Sequence, residues 1–269
     1  MAWISTRRRG IAAAAVLCLT AALPATQCRA EPTVIAQKQR SEKKSFTDAQ
    51  LTEGFFKTSF GAEFQLAGRV DRIRKYVKPV RVFVEGAVRA DRRTQLTDIV
   101  ADIGRRIAHL DIAMTADRDN ANVVVTMVRE RNFTRTLASM YGDERASEIK
   151  KSLDPQCLSG FTKNERFEIE HSEVILAVDT SDFTFLDCAY EELLQSLGPI
   201  NDTSSVPWTM FNDQVQMGYF DVFDQYLLNI LYDPRVKAGM TIEETRVVLP
   251  EALAEARAFV TQSNGLPPR

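Results

Sequence analysis

Histidine is scarce in this chain: two residues, His109 and His171, in 269. Neither belongs to a Cys-His-Asn arrangement, so a catalytic thiol is disfavoured. Cysteine is also sparse, and two of the four, Cys18 and Cys28, fall within the first thirty residues. No G-x-S-x-G nucleophile elbow, phosphate-binding loop or dinucleotide fingerprint occurs. The acidic residues Asp202, Asp213, Asp221 and Asp224 lack EF-hand spacing and read as solvated surface. Beyond the amino terminus no apolar run is long enough to span a membrane, which takes roughly 20 residues. No repeat or break in composition marks a second domain.

The amino terminus carries an export signature. Arg7, Arg8 and Arg9 precede an apolar run from Ile11 to Leu23, and Cys28, Arg29 and Ala30 close it. Residues 1–30 are therefore expected to be a signal peptide cut after Ala30. Gly10 departs from a twin-arginine signal, and Gln27 from a lipoprotein box. The expected location is periplasmic or secreted. The formal charge is −2, and loss of Arg7, Arg8, Arg9 and Arg29 with no acid makes it −6. An acidic chain has no general attraction to nucleic acid. Cys157 and Cys188 remain as an even pair in an oxidising compartment, so one disulfide is expected. Closing that loop is worth about 3.5 kcal/mol in the chain-entropy account.

Residues 31–54 are polar and read as a mobile leader, followed by a single domain over 55–262 and a frayed tail over 263–269. From Phe64, the apolar residues Leu66, Val70, Ile73 and Val77 recur at helical spacing up to Pro79, with Arg69, Arg72, Arg74, Lys75 and Lys78 on a solvated face. Val80, Val82 and Val84 alternate as a half-buried strand ending at Gly86. Thr94 to His109 reads as a helix with core residues Leu96, Ile99, Val100, Ile103 and Ile107, and His109 sits favourably at its carboxyl end. Ala121 to Val128 has the branched density of a strand buried on both faces. A helix over Leu137 to Lys151, a strand within Phe167 to Asp179 and a helix over Asp221 to Leu231 follow. Thr241 to Glu244 is a capping box, and Pro250 is expected to divide the last helical region in two. The order predicts an α+β fold, a mixed sheet packed by helices with a helical C-terminal part.

One segment bears on chemistry. Glu191 to Gly198, EELLQSLG, has the frame of H-E-x-x-H-x-x-G, in which two histidines one turn apart hold zinc and the glutamate activates water. Glu191 and Gln195 stand where the histidines would be. With Asn201 the pattern extends to EExxQxxGxxN, whose last residue occupies the place of a third ligand. Gln195 and Asn201 offer neutral carbonyl oxygens, which bind zinc poorly, and an all-oxygen set with Asp202 falls short of the six to eight oxygens that calcium takes. No metal site and no cofactor are expected. Glu192 keeps the position of the general base. Periodicity alone makes this a two-faced surface helix, with Gln195 about 40° and Glu192 about 100° around from Glu191.

PVRVFVEG at Pro79 to Gly86, EELLQSLG, Asn201 and Asp202, FND at Phe211 to Asp213 and LYDPRVKAGM at Leu231 to Met240 together resemble an exported bacterial family of unknown function, the one numbered 2927. The resemblance spans roughly residues 55 to 245. It implies a zincin-like architecture and export, and supplies no reaction. The expected function is an exported zincin-like protein that lacks zinc catalysis and binds a peptide or protein partner through the former cleft, using Glu191, Gln195, Asn201 and Asp202. The alternative is an atypical metallopeptidase or carboxylate-dependent hydrolase in which Glu192 acts. No membrane span is expected once the signal is removed.

Overall fold

The alternation of Val80, Val82 and Val84 becomes strand β1 (Val80–Gly86), with those valines buried and the residues between them partly exposed. The computed structural model describes residues 33–61, 71–86, 89–153 and 156–267. The expected signal peptide, and Leu66 and Val70 of the expected first helix, lie outside these. The described chain runs α1 (Val34–Ser41), α2 (Asp48–Ser59), β1, α3 (Ala90–Arg106), β2 (Ile112–Met114), β3 (Val123–Val128), α4 (Phe133–Tyr141), α5 (Asp143–Leu153), β4 (Cys157–Lys163), β5 (Ile169–Ala177), α6 (Asp182–Gln195), α7 (Val222–Tyr232) and α8 (Ile242–Ser263).

The five strands form one mixed sheet in the order β2-β1-β3-β5-β4. Strands β2, β1, β3 and β5 are parallel, and only β4 runs antiparallel, at the edge beside β5. The β4–β5 turn is organised by Asn164, whose Oδ1 accepts from Arg166 N and Glu168 N. Side chains alternate between two cores, as period-two strands require. Val174 and Leu176 of β5 join Val82, Val125, Leu96 and Leu193 in the larger one. Ile175 and Ala177 join Phe133, Leu137 and Ile149, from the α4–α5 pair, in the smaller one. This is the α+β architecture the element order implied.

Several local expectations are corrected. Segment 71–79 is extended rather than helical: Ile73 N donates to Met240 O, Gly239 N to Ile73 O, and Ile169 N to Lys75 O. Ile73 enters the core while Val77 is 53% exposed, so the spacing that suggested one helical face belongs to no face. Nor are Arg74 and Lys75 solvated, at 2% and 7% exposure. Lys75 Nζ donates to the carbonyls of Leu231, Asp233 and Val236 and so closes the carboxyl end of α7. Arg74 Nη2 donates to Ser59 O and Gly61 O at the end of α2.

The expected mobile leader contains two helices. Thr47 caps α2 in a capping box with Gln50, and Leu51 and Phe55 are fully buried. The single helix expected over 137–151 is two, parted at Gly142, whose φ is +86°. Pro250 does not divide α8, which runs unbroken through it. The proline removes one backbone donor, but the Thr241–Glu244 capping box starts the helix and Leu249, Ala252, Leu253, Ala256 and Val260 bury one face on both sides of it. The tail is in place through Pro267: Leu266 packs on the core and its N–H donates to Thr261 O. Among the described residues no helix is long and apolar enough to cross a membrane.

Candidate functional site

Glu191–Gln195 of the EELLQSLG segment are the last five residues of α6, and Ser196, Leu197 and Gly198 make the turn that follows. Ser181 starts that helix by accepting the Thr184 N–H, and Phe185, Ala189, Leu193 and Leu194 bury one side of it. Gly198 ends the turn with φ +140°, and a Cβ there would lie 2.3 Å from the carbonyl oxygen of Arg74. Glycine is thus required by conformation and by the close crossing of segment 71–79. Cys188, in the middle of α6 rather than at its start, is disulfide-bonded to Cys157, the first residue of β4, with Cα atoms 5.8 Å apart. The bond holds the edge strand to the helix at the level of the polar residues.

The polar side of α6 is covered rather than solvated. Glu192 and Gln195 are each 6% exposed and Ser196 is fully buried. Asp187, Glu191 and Gln195, four residues apart, form one row along the helix, and the chain from 201 to 218 runs over it. Gln195 Nε2 donates to Asp202 Oδ1 at 2.6 Å. Carboxylate oxygens of Glu191, Asp202 and Asp213 all lie within 4.8 Å of one another. Asp187 Oδ1 accepts the N–H groups of Met217 and Gly218 at 2.6 and 2.9 Å.

Burial, followed by the charges of Glu192, Asp202, Asp187 and Asp213, pushes the Glu191 carboxyl well above the usual carboxylate range. Asp187 is also raised by burial, and its two backbone donors oppose this. Glu192 faces a different neighbour. Its charge is felt by the Tyr141 phenol, which burial first, then Glu173 and Glu192, push up to about 12. That hydroxyl lies beside Gly160 of β4. The two adjacent glutamates thus face different neighbours, while Glu191 still feels the charge of Glu192.

Of the sequence-derived candidates, Glu191, Gln195 and Asp202 come together. Asn201 does not join them: its Nδ2 donates to Lys57 O at 2.7 Å and its N–H to Thr58 O, which ties the loop to the end of α2. Asp213, read as solvated surface, is exposed and also brings a carboxylate oxygen to the cluster. Counting oxygens on single elements missed it, because the three carboxylates come from one helix and two points of a loop. Asp187 was discoverable as the residue one turn before Glu191. Three close carboxylates can take up a proton, a hard cation such as calcium or magnesium, or the ammonium or guanidinium of a basic side chain. As a metal site, one ligand atom from each leaves at least three positions to other oxygens.

The fold and this row of acids define an α+β domain with one carboxylate-bearing helix beneath an antiparallel sheet edge. The chain belongs to the family described as Protein of unknown function (DUF2927), whose model matches residues 48–251. No curated protein and no solved structure matches it.

Proposed function

We infer that this is an exported, zincin-like protein that has no zinc catalysis and binds a peptide or protein partner along α6 and the neighbouring edge of the sheet. The observation that carries this reading is the use made of the three ligand positions. Gln195 is engaged with Asp202, Asn201 holds α2, and Glu191 converges with Asp202 and Asp213 instead. The three side chains that would grip zinc do not face one point, and two of them are amides.

The same arrangement favours a basic partner. Glu191, Asp202 and Asp213 supply several acceptors where a lysine or arginine side chain forms charge-assisted bonds. Beside α6, β4 is the sheet's last strand, and no other strand among the described residues pairs with its outer edge. An extended peptide adds to such an edge through its own main chain. The sheet order, the antiparallel edge and the helix beneath it support the zincin-like reading. The disulfide supports export, because such bonds persist in oxidising compartments.

A second reading, an atypical metal-dependent hydrolase, draws on the same three carboxylates. One experiment separates the two. The protein is purified without chelator and analysed for metals, then titrated into labelled extended peptides rich in lysine, in glutamate or in serine, with anisotropy and peptide integrity both followed. Selective, salt-sensitive binding of the lysine peptide, weakened in Asp202→Asn and Asp213→Asn and without cleavage, supports the binding reading. Stoichiometric metal with chelator-sensitive cleavage replaces it with the hydrolase.

A further inference from the structure

A second group of acids lies at the amino end of α7, remote in sequence from the EELLQSLG segment. Asp221 caps the helix: its Oδ1 accepts from Phe223 N at 2.9 Å and Asp224 N at 3.2 Å. Asp224 is fully buried, and both of its oxygens are filled, by Thr209 Oγ1 at 2.6 Å and Met210 N at 2.7 Å. Asp221 Oδ2 is buried and no N–H or O–H donor reaches it. The two carboxyl groups lie within hydrogen-bonding distance of one another. Two carboxylates cannot bond to each other unless one holds a proton, and a proton on Asp221 Oδ2 satisfies the orphaned atom and the pair together.

A third carboxylate arrives from outside. Glu42, which follows α1, accepts the Val222 N–H at 2.5 Å. Helix α1 has no buried residue and precedes the span matched by the family. Ile35 lies over Gly218, and Lys38 Nζ is 5.7 Å above the ring of Phe183. Just after Glu42, Lys43 Nζ stands 3.8 Å from the centre of the Trp208 ring. Helix α7 presents roughly half a positive charge at this end, which cannot balance three ionised acids.

We propose that α1 is a proton-controlled clasp: one proton shared by Asp221 and Asp224 lets the amino end of α7 accept the Glu42 carboxylate, and loss of that proton releases the arm. Asp221 and Asp224 are fixed in the core, so Glu42, on the lightly held segment, is the group that moves. The other charged or titratable groups facing the cluster are Lys43 and Lys44 beside Glu42, Arg106 at the end of α3, and Tyr219 with its buried hydroxyl. Burial raises the Glu42 carboxyl, and the Val222 N–H, Lys44 and Arg106 oppose that rise, whereas burial and then the Asp224 charge push the Asp221 carboxyl well above its ordinary value. Acid therefore closes the clasp and alkali opens it. Opening exposes Gly218 and Phe183, next to the Asp187 end of the acidic row.

The test is hydrogen exchange of residues 34–44 in the full chain between pH 5 and pH 9, corrected for the intrinsic rate. Protection in the wild type is expected to fall about tenfold for each proton-linked pH unit above the titration. Asp221→Asn keeps the capping oxygen and donates from Nδ2 to Asp224, so it imitates the protonated pair and holds the arm at every pH. Glu42→Gln keeps the acceptor for Val222 N, removes one charge and reduces the slope. Trp208 fluorescence changes with the same midpoint as Lys43 leaves its ring. A flat wild-type profile, or an unchanged slope in both Asp221→Asn and Glu42→Gln, overturns the proposal.

Discussion

Replacing Lys75 by Met tests whether a buried cation closes helix α7. The substitution keeps an unbranched stem of similar length and deletes the ammonium that donates to Leu231 O at 2.7 Å, Asp233 O at 3.2 Å and Val236 O at 2.6 Å. Each bond from a charged donor contributes about 2 kcal/mol. Against this, burial pushes the Lys75 ammonium down to about 8 from 10.5, a shift that disfavours the charged form by about 3 kcal/mol at neutral pH. Relief of that cost offsets roughly half of the lost bonding, so Lys75→Met is expected to destabilise by about 3 kcal/mol. The assay is urea unfolding at pH 7 with the disulfide intact, followed by far-UV circular dichroism. At a slope of about 1–3 kcal/mol per molar, the midpoint falls by about 1 M or more. A variant as stable as the wild type would refute the reasoning, because it would mean that three carbonyls at and just after the end of α7 lose a charged donor at no cost.

Three further outcomes follow from separate features. Cys157→Ser with Cys188→Ser removes a bond across a sequence separation of 31 and is expected to cost about 3.5 kcal/mol in chemical denaturation; a cost below about 1 kcal/mol would count against the loop-closure account. Gly198→Ala places a methyl group 2.3 Å from Arg74 O at φ +140° and should cost about 2–3 kcal/mol, read as a lower melting temperature. The raised Glu191 carboxyl means that the folded chain binds its proton more tightly than the unfolded chain does. Its stabilising contribution is complete below the ordinary carboxylate pKa and is lost as pH rises through the raised value. Glu191→Gln should therefore melt above the wild type at pH 8 and beside it near pH 4, each kcal/mol of relieved repulsion appearing as about 2–4 °C; an identical pH profile would show that Glu191 does not titrate anomalously.

What the sequence revealed was whatever depends on local period. The valines of β1, the branched run of β3 and the core face of α3 were legible because burial there follows one repeat through one element. Lys75 and Arg74 were not. Their neighbours by contact are the ends of α7 and α2, far away in the chain, and a lysine that closes a helix has the same letter as one in water. Pro250 misled because its local cost is certain while the burial that outweighs it lies on the opposite side of the same helix. The site was half legible: the EExxQxxG frame located Glu191 and Gln195, and Asp202 lay just beyond. Asp213 came in only when the loop folded back over α6.

The stapling of β4 to the middle of α6 also bears on the order in which the chain assembles. Strands β4 and β5 are joined by a five-residue turn, residues 164–168, so their antiparallel ladder closes the smallest loop in the sheet. The parallel pairings of β1, β3 and β5 bring together more distant segments and carry larger closure entropies. Cys157 is on that early hairpin and Cys188 on the helix that must dock against it. Docking of α6 against the hairpin brings the two sulfurs together and favours their oxidation, and the same bond formed earlier narrows the search for the docked arrangement. Refolding of the oxidised chain compared with the reduced chain would measure how far the bond speeds the arrival of the acid-bearing helix at its place.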